Sequence, residues 1–131
     1  MSLKRQECLK KLHVKNLIDK MNSVEPSLIL VEGVNDKRVL ELLGVKHTIM
    51  TCSGKSVHEI IDEVLEKGLP VILLMDFDEK GIQLEKSLER ELRDFRVKVD
   101  TFFWRELQRV TLGKVREIQD LLGYVGEMPW I

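Results

Sequence analysis

At 131 residues the chain has room for one domain with a real core and not for two. With 44% hydrophobic and 33% charged residues it is too apolar for a disordered tail. A formal net charge of −1 carries none of the overall basic excess typical of nucleic-acid binders, so any such grip must be local.

Leu9, Leu12, Val14, Leu17, Ile18 and Met21 recur at helical spacing and predict an amphipathic first helix within residues 1–26. That stretch sets Lys4, Arg5, Lys10, Lys11, Lys15 and Lys20 against only Glu7 and Asp19. It reads first as a solvated basic face and second as a phosphate-contacting surface. After "NSVEP" breaks the helix, "SLILVEG" reads as a buried strand closed by Glu32 and Gly33. "VNDKRVLELLG" has Val39, Leu40, Leu42 and Leu43 in helical register and Gly44 as its stop.

"VKHTIMTC" predicts the second strand, and "SGKSVHEIIDEVLEKG" a helix with Ser53 as N-cap and Gly68 as stop. "PVILLMD" is the third strand, "EKGIQLEKSLERELRDF" a helix, "RVKVDTFF" the fourth strand and "GKVREIQDLLGYV" a final helix. This alternation predicts an α/β domain with a central, mostly parallel four-stranded sheet and helices on both faces. Trp104 and its neighbours Phe102 and Phe103 are expected to pack the last strand against a helix.

Cys8 and Cys52 stand far apart with no partner at metal-ligand spacing, which predicts reduced thiols in a cytoplasmic protein. No apolar run approaches the roughly 20 residues of a membrane span, so no membrane partner is expected. His47 and His58 are too far apart for a helical ligand pair and read as ordinary edge or surface residues.

In an open parallel sheet, ligands bind beyond the carboxyl ends of the strands. Glu32 ends the first strand, and Asp76 and Asp78 end the third, so all three acids fall on one edge and converge if those strands are neighbours. Asp76 and Asp78, two apart in extended backbone, point the same way and turn Phe77 to the other side. Clustered carboxylates repel, and Mg²⁺ or Mn²⁺ offsets that repulsion; without Cys or His pairs, zinc is a poor candidate.

"LILVEGVNDKRVLELL" resembles the Glu-Gly-x-x-Asp motif of the Toprim domain, and "VILLMDFDEKG" resembles its Asp-x-Asp-x-x-Gly motif. Each motif alone is weak, but the ordered pair at strand ends is fairly specific, and it covers residues 27–104. The short chain most resembles small Toprim proteins related to the maturase of 5S ribosomal RNA. That resemblance implies a Rossmann-like Toprim core, with residues 105–131 as a C-terminal helical extension of one compact domain. It implies Glu32 as the general acid or base, Asp76 and Asp78 with Glu32 as Mg²⁺ ligands, and Gly33 and Gly81 as sites of tight turns and close phosphate approach. Asp36 matches the first motif's aspartate, and is read either as a metal-site residue or as a first-turn acid favoured by the helix dipole.

Type IA topoisomerases carry a third acid where this chain has Lys80, and the only tyrosine, Tyr124, lies near the chain end, so a topoisomerase site is not expected. "SGKS" lacks the P-loop's first glycine, since Ile49 stands there. Ser53, Gly54 and Lys55 therefore read either as a phosphate contact or as a capped turn, and Lys37 and Arg38 either as phosphate contacts or as solvated charges. A haloacid-dehalogenase-type phosphatase would need Thr or Val where Lys80 stands, and a receiver domain would need an acidic pair after strand one.

The expected function is Mg²⁺-dependent phosphotransfer on RNA or DNA, most simply by a nuclease acting on structured nucleic acid. The alternative is a non-catalytic Toprim metal- and nucleic-acid-binding module working within a larger complex, with a protein partner or a homo-oligomer supplying the rest of the grip.

Overall fold

The computed structural model describes residues 3–111 and 113–124, except for the side chains of Leu3, Lys4 and Glu7. Residues 1–2 of the expected N-terminal segment and 125–131 of the expected C-terminal extension, including the last residue of its helix, lie outside the described residues. The elements are α1 (Leu3–Ser23), β1 (Leu28–Val31), α2 (Val34–Leu42), β2 (Thr48–Thr51), α3 (Val57–Lys67), β3 (Val71–Leu73), α4 (Glu79–Asp94), β4 (Val99–Asp100), α5 (Phe102–Val110) and a 3₁₀ helix, Ile118–Tyr124.

The sheet has the order β2-β1-β3-β4, and every pairing is parallel. All four β1 residues are buried because the strand is central and covered on both sides. Ile29, Val31, Ile72 and Leu74 face a core shared with α1, α2, α5 and the 3₁₀ helix, while Leu28, Leu30, Val71 and Leu73 face α3 and α4. The period-two alternation of β1 and β3 thus feeds two cores, and the terminal segments close the first of them. The fold is α/β with helices on both faces, as the alternation of elements predicts. Among the described residues, no helix is long and apolar enough to cross a membrane.

Three local expectations are corrected. Ser56, not Ser53, caps α3: its Oγ accepts from Glu59 N at 3.2 Å, while Ser53 N donates to Glu32 O at 2.8 Å and extends the pairing beside β1. The fourth strand is only Val99–Asp100, because Phe103, Leu107 and Val110 form the buried stripe of a helix, α5. Among the described residues of the last segment, the helix is a 3₁₀ helix starting at Ile118 rather than a helix from Gly113. Trp104 accordingly lies on α5, where it stacks on Phe77 and its Nε1 donates to Met75 O at 2.7 Å. It anchors the chain immediately before Asp76. His47 is half-buried and bridges elements, its ring bonding Ser27 N and Met21 O, while His58 is exposed.

Glu85 is a buried acid on the inner face of α4, and its Oε1 has no hydrogen-bond partner. Burial first, and the neighbouring Glu89 second, push its carboxyl up to about 7. A carboxyl raised in the folded state contributes its stability fully below its unfolded value and loses it as pH rises through the folded one. Wild type should therefore weaken between about pH 4.5 and 7. Glu85→Gln should remove that slope and raise stability above neutrality by about 1–2 kcal/mol, allowing for screening by nearby solvent. Denaturant melts at acidic and alkaline pH check this, and equal slopes in the two proteins would refute it.

Candidate active site

The acids at the strand ends come together through sheet register. Leu30 pairs with Leu73, and Leu74 N continues the ladder to Leu30 O at 2.9 Å, so the residues following each strand run side by side. Asp76 N then donates to Glu32 Oε2 at 2.9 Å. Asp36, on the first turn of α2, is buried; its Oδ2 accepts from Gly33 N at 2.9 Å.

A segment from the far end of the chain crosses this edge. Ile118 N donates to Asp76 Oδ1 at 2.8 Å, Gln119 N donates to Asp36 Oδ1 at 2.8 Å, and Phe77 N donates to Arg116 O. Backbone amides thus fix one oxygen of Asp76 and hold both oxygens of Asp36. A cavity of about 420 Å³ remains, and its wall includes the acids Glu32, Asp36, Asp76 and Glu117 and the bases Lys55 and Lys80.

Crowding sets the electrostatics. Burial first, and the adjacent Glu32 carboxylate second, push Asp76 up to about 8, against the opposing pull of Ile118 N. Asp36 is also raised, chiefly by burial. The Asp76 carboxyl therefore retains a proton at neutral pH when no cation is near. Burial pushes the Cys52 thiol up to about 12, so it is an inert wall of the cavity rather than a nucleophile. Lys55 is partly neutralised by Glu63 at 3.0 Å.

Of the residues singled out from the sequence, Glu32, Gly33, Asp36, Ser53, Gly54, Lys55 and Asp76 line this one cavity. Asp78, Gly81 and Lys37 are not part of its wall. Asp78 is the N-cap of α4, its Oδ1 accepting from Gly81 N at 2.7 Å. Gly81 faces protein backbone rather than the cavity, since a Cβ there would lie 2.2 Å from Asp76 O. Among the described residues, no group of three or more His, Cys, Asp or Glu side chains is arranged to hold a metal ion. Sequence reasoning missed Lys80 and Glu117 as wall residues and the two amides of the 3₁₀ segment. The acid-to-lysine change at position 80, noticed only as a departure from one motif, was the available signal.

No family model matches the chain. It is 36% identical over 104 residues to a UPF0292 protein of Methanocaldococcus jannaschii, covering 79% of this chain and 81% of that protein. A UPF0292 protein of Thermococcus kodakarensis is 35% identical over 107 residues, covering 82% and 79%. A solved structure of a protein from Aquifex aeolicus superimposes with a TM-score of 0.69 at 26% identity, covering 80% of this chain and 94% of that one.

Proposed function

The chain belongs to the UPF0292 family, and we propose that it is a Toprim-type, Mg²⁺-dependent phosphotransfer enzyme, a nuclease acting on structured RNA or DNA. The observation that carries this reading is the Glu32–Asp76 pair at the carboxyl edge of a parallel sheet, lining one cavity with Lys55 and Lys80.

The residues fit a hard divalent cation. The donors are carboxylate oxygens, the cavity thiol of Cys52 stays protonated, and the buried Asp76 carboxyl keeps a proton that a cation would displace. Mg²⁺ retains several waters and needs only one or two carboxylates. Glu32 and Asp76, which both line the cavity, would hold it, whereas Asp78 caps α4 outside that wall. When bound, the ion polarises a phosphoryl oxygen and offsets charge developing there.

The chain's own residues supply the rest. Glu32 spends Oε2 on Asp76 N, which fixes its orientation and leaves Oε1 to move a proton to or from a reacting oxygen. Lys55 and Lys80 attract and orient the phosphodiester. Ile118 N locks the Asp76 rotamer so that its second oxygen is presented in a fixed direction. A cytoplasmic setting accords with the two free cysteines.

One observation favours the second reading, a non-catalytic metal- and nucleic-acid-binding module. Asp36 has both oxygens occupied by amides, and Asp76 and Asp78 each have one. Calorimetric titration of Mg²⁺ and Mn²⁺, followed by incubation with labelled hairpin RNA and DNA, separates the two. The enzyme reading expects metal-dependent cleavage that Glu32→Gln lowers by about 10²-fold or more without unfolding the protein. Metal binding with no cleavage supports the module, and no metal binding by wild type overturns both.

A further inference from the structure

A second concavity, about 330 Å³, is lined by Lys10, Lys11, Lys114, Gly123 and Tyr124. Its lysines come from two elements far apart in sequence, α1 and the turn after α5. Tertiary folding has gathered like charges that a merely solvated helix face would not need to bring together.

The fold places this cleft at the active edge. The C-terminal end of α1 is tied to the opposite edge, where Met21 O bonds His47 and the Asn22 side chain bonds Gly44 O and Lys46 N ahead of β2. Lys11 stands ten residues back along α1, about 15 Å at helical rise, which brings it towards the ends of the strands. Lys114 precedes Glu117, a wall residue of the acidic cavity, by three residues, so their Cα atoms lie within about 11 Å. That distance corresponds to about three phosphates along one strand of a duplex.

We propose that the Lys10–Lys11–Lys114 cleft grips the phosphate backbone of the nucleic acid whose neighbouring phosphodiester enters the Glu32–Asp76 cavity. The proposal rests on the nucleic-acid reading of that cavity and supplies the local basic grip that a net charge of −1 hides. Tyr124, half-buried in the cleft wall, offers an aromatic surface for an unpaired base. Burial raises its phenol, so the ring stays neutral and adds no negative charge.

The test is fluorescence anisotropy of the full chain with a labelled hairpin RNA and the matching DNA hairpin, in chelator, between about 50 and 200 mM salt. Wild type should bind both in chelator and in Mg²⁺, because this grip does not need the ion. The Lys11→Glu, Lys114→Glu double variant should lose at least about tenfold in affinity, and the slope of log K against log salt should flatten by about two. Lys11→Arg with Lys114→Arg should keep both, and circular dichroism verifies folding of each variant. Unchanged affinity and slope in the Glu variant overturn the cleft even if cleavage is intact. Binding with the predicted lysine dependence but no cleavage supports the cleft and sinks only the catalytic reading. Lysine-dependent binding to phosphatidylserine vesicles without hairpin binding would assign the patch to a membrane surface and overturn the proposal.

Discussion

Gly81→Ala is expected to cost about 3 kcal/mol of stability and to lower the melting temperature by on the order of 10 °C. A Cβ at position 81 would lie 2.2 Å from Asp76 O, 2.6 Å from its carbonyl carbon and 3.0 Å from its Cα. All three are backbone atoms, so no rotamer change relieves the overlap. The first turn of α4 is pinned by the Asp78 cap on Gly81 N, and Asp76 is pinned by its amide on Glu32 and its carboxylate on Ile118 N. Either the helix lifts from the sheet or the site acid moves. Gly33→Ala is the control: its Cβ would meet Asp36 Oδ2 at an ordinary 3.6 Å, and the φ of −136° suits any residue. It should change stability by less than about 0.5 kcal/mol. Equal melting temperatures for the two variants would show that α4 can shift without loss. Sequence reasoning gave both glycines one role, whereas the structure separates a packing glycine from a cavity glycine.

The parts of the fold that could be read from sequence are those where one local period governs. The unbroken apolar run of β1, the alternation of strands with capped helices and the Gly68 stop each carry their own signal. Helix α5 was hidden because "VDTFF" favours a strand by composition, and the helical stripe emerges only when Phe103 is read with Leu107 and Val110. For the site, the edge rule for parallel sheets was enough to bring Glu32 to Asp76. The contacts of Ile118 with Asp76 and of Gln119 with Asp36 join residues 42 and 83 positions apart through backbone amides. Every residue but proline carries such an amide, so side-chain identity held no sign of them. Asp78 shows the opposite difficulty: an N-cap and a metal ligand call for the same residue type.

Asp76→Asn is expected to have two opposed effects, stabilising the metal-free protein at alkaline pH while abolishing metal-dependent chemistry. Burial and the Glu32 carboxylate hold the Asp76 carboxyl at about 8, above its ordinary 3.8. The protonated form therefore contributes its stability fully below about pH 4, and that contribution is lost as pH rises through about 8. Asparagine keeps the acceptor for Ile118 N, can donate to Glu32 and never ionises, so the variant should escape the alkaline loss. At pH well above 8 it should exceed wild type by roughly 2 kcal/mol, water in the open cavity having screened part of the interaction. Near pH 4 the two should be alike. The same exchange removes an anionic oxygen from the donor set, so Mg²⁺ affinity and any cleavage should fall together. Metal-free denaturant melts across pH, paired with metal titrations, read both effects. A variant less stable than wild type at alkaline pH would mean that the Asp76 carboxylate is compensated within the protein itself. The crowded Glu32–Asp76 pair would then be a settled structural contact, and the argument that it awaits a cation would fail with it.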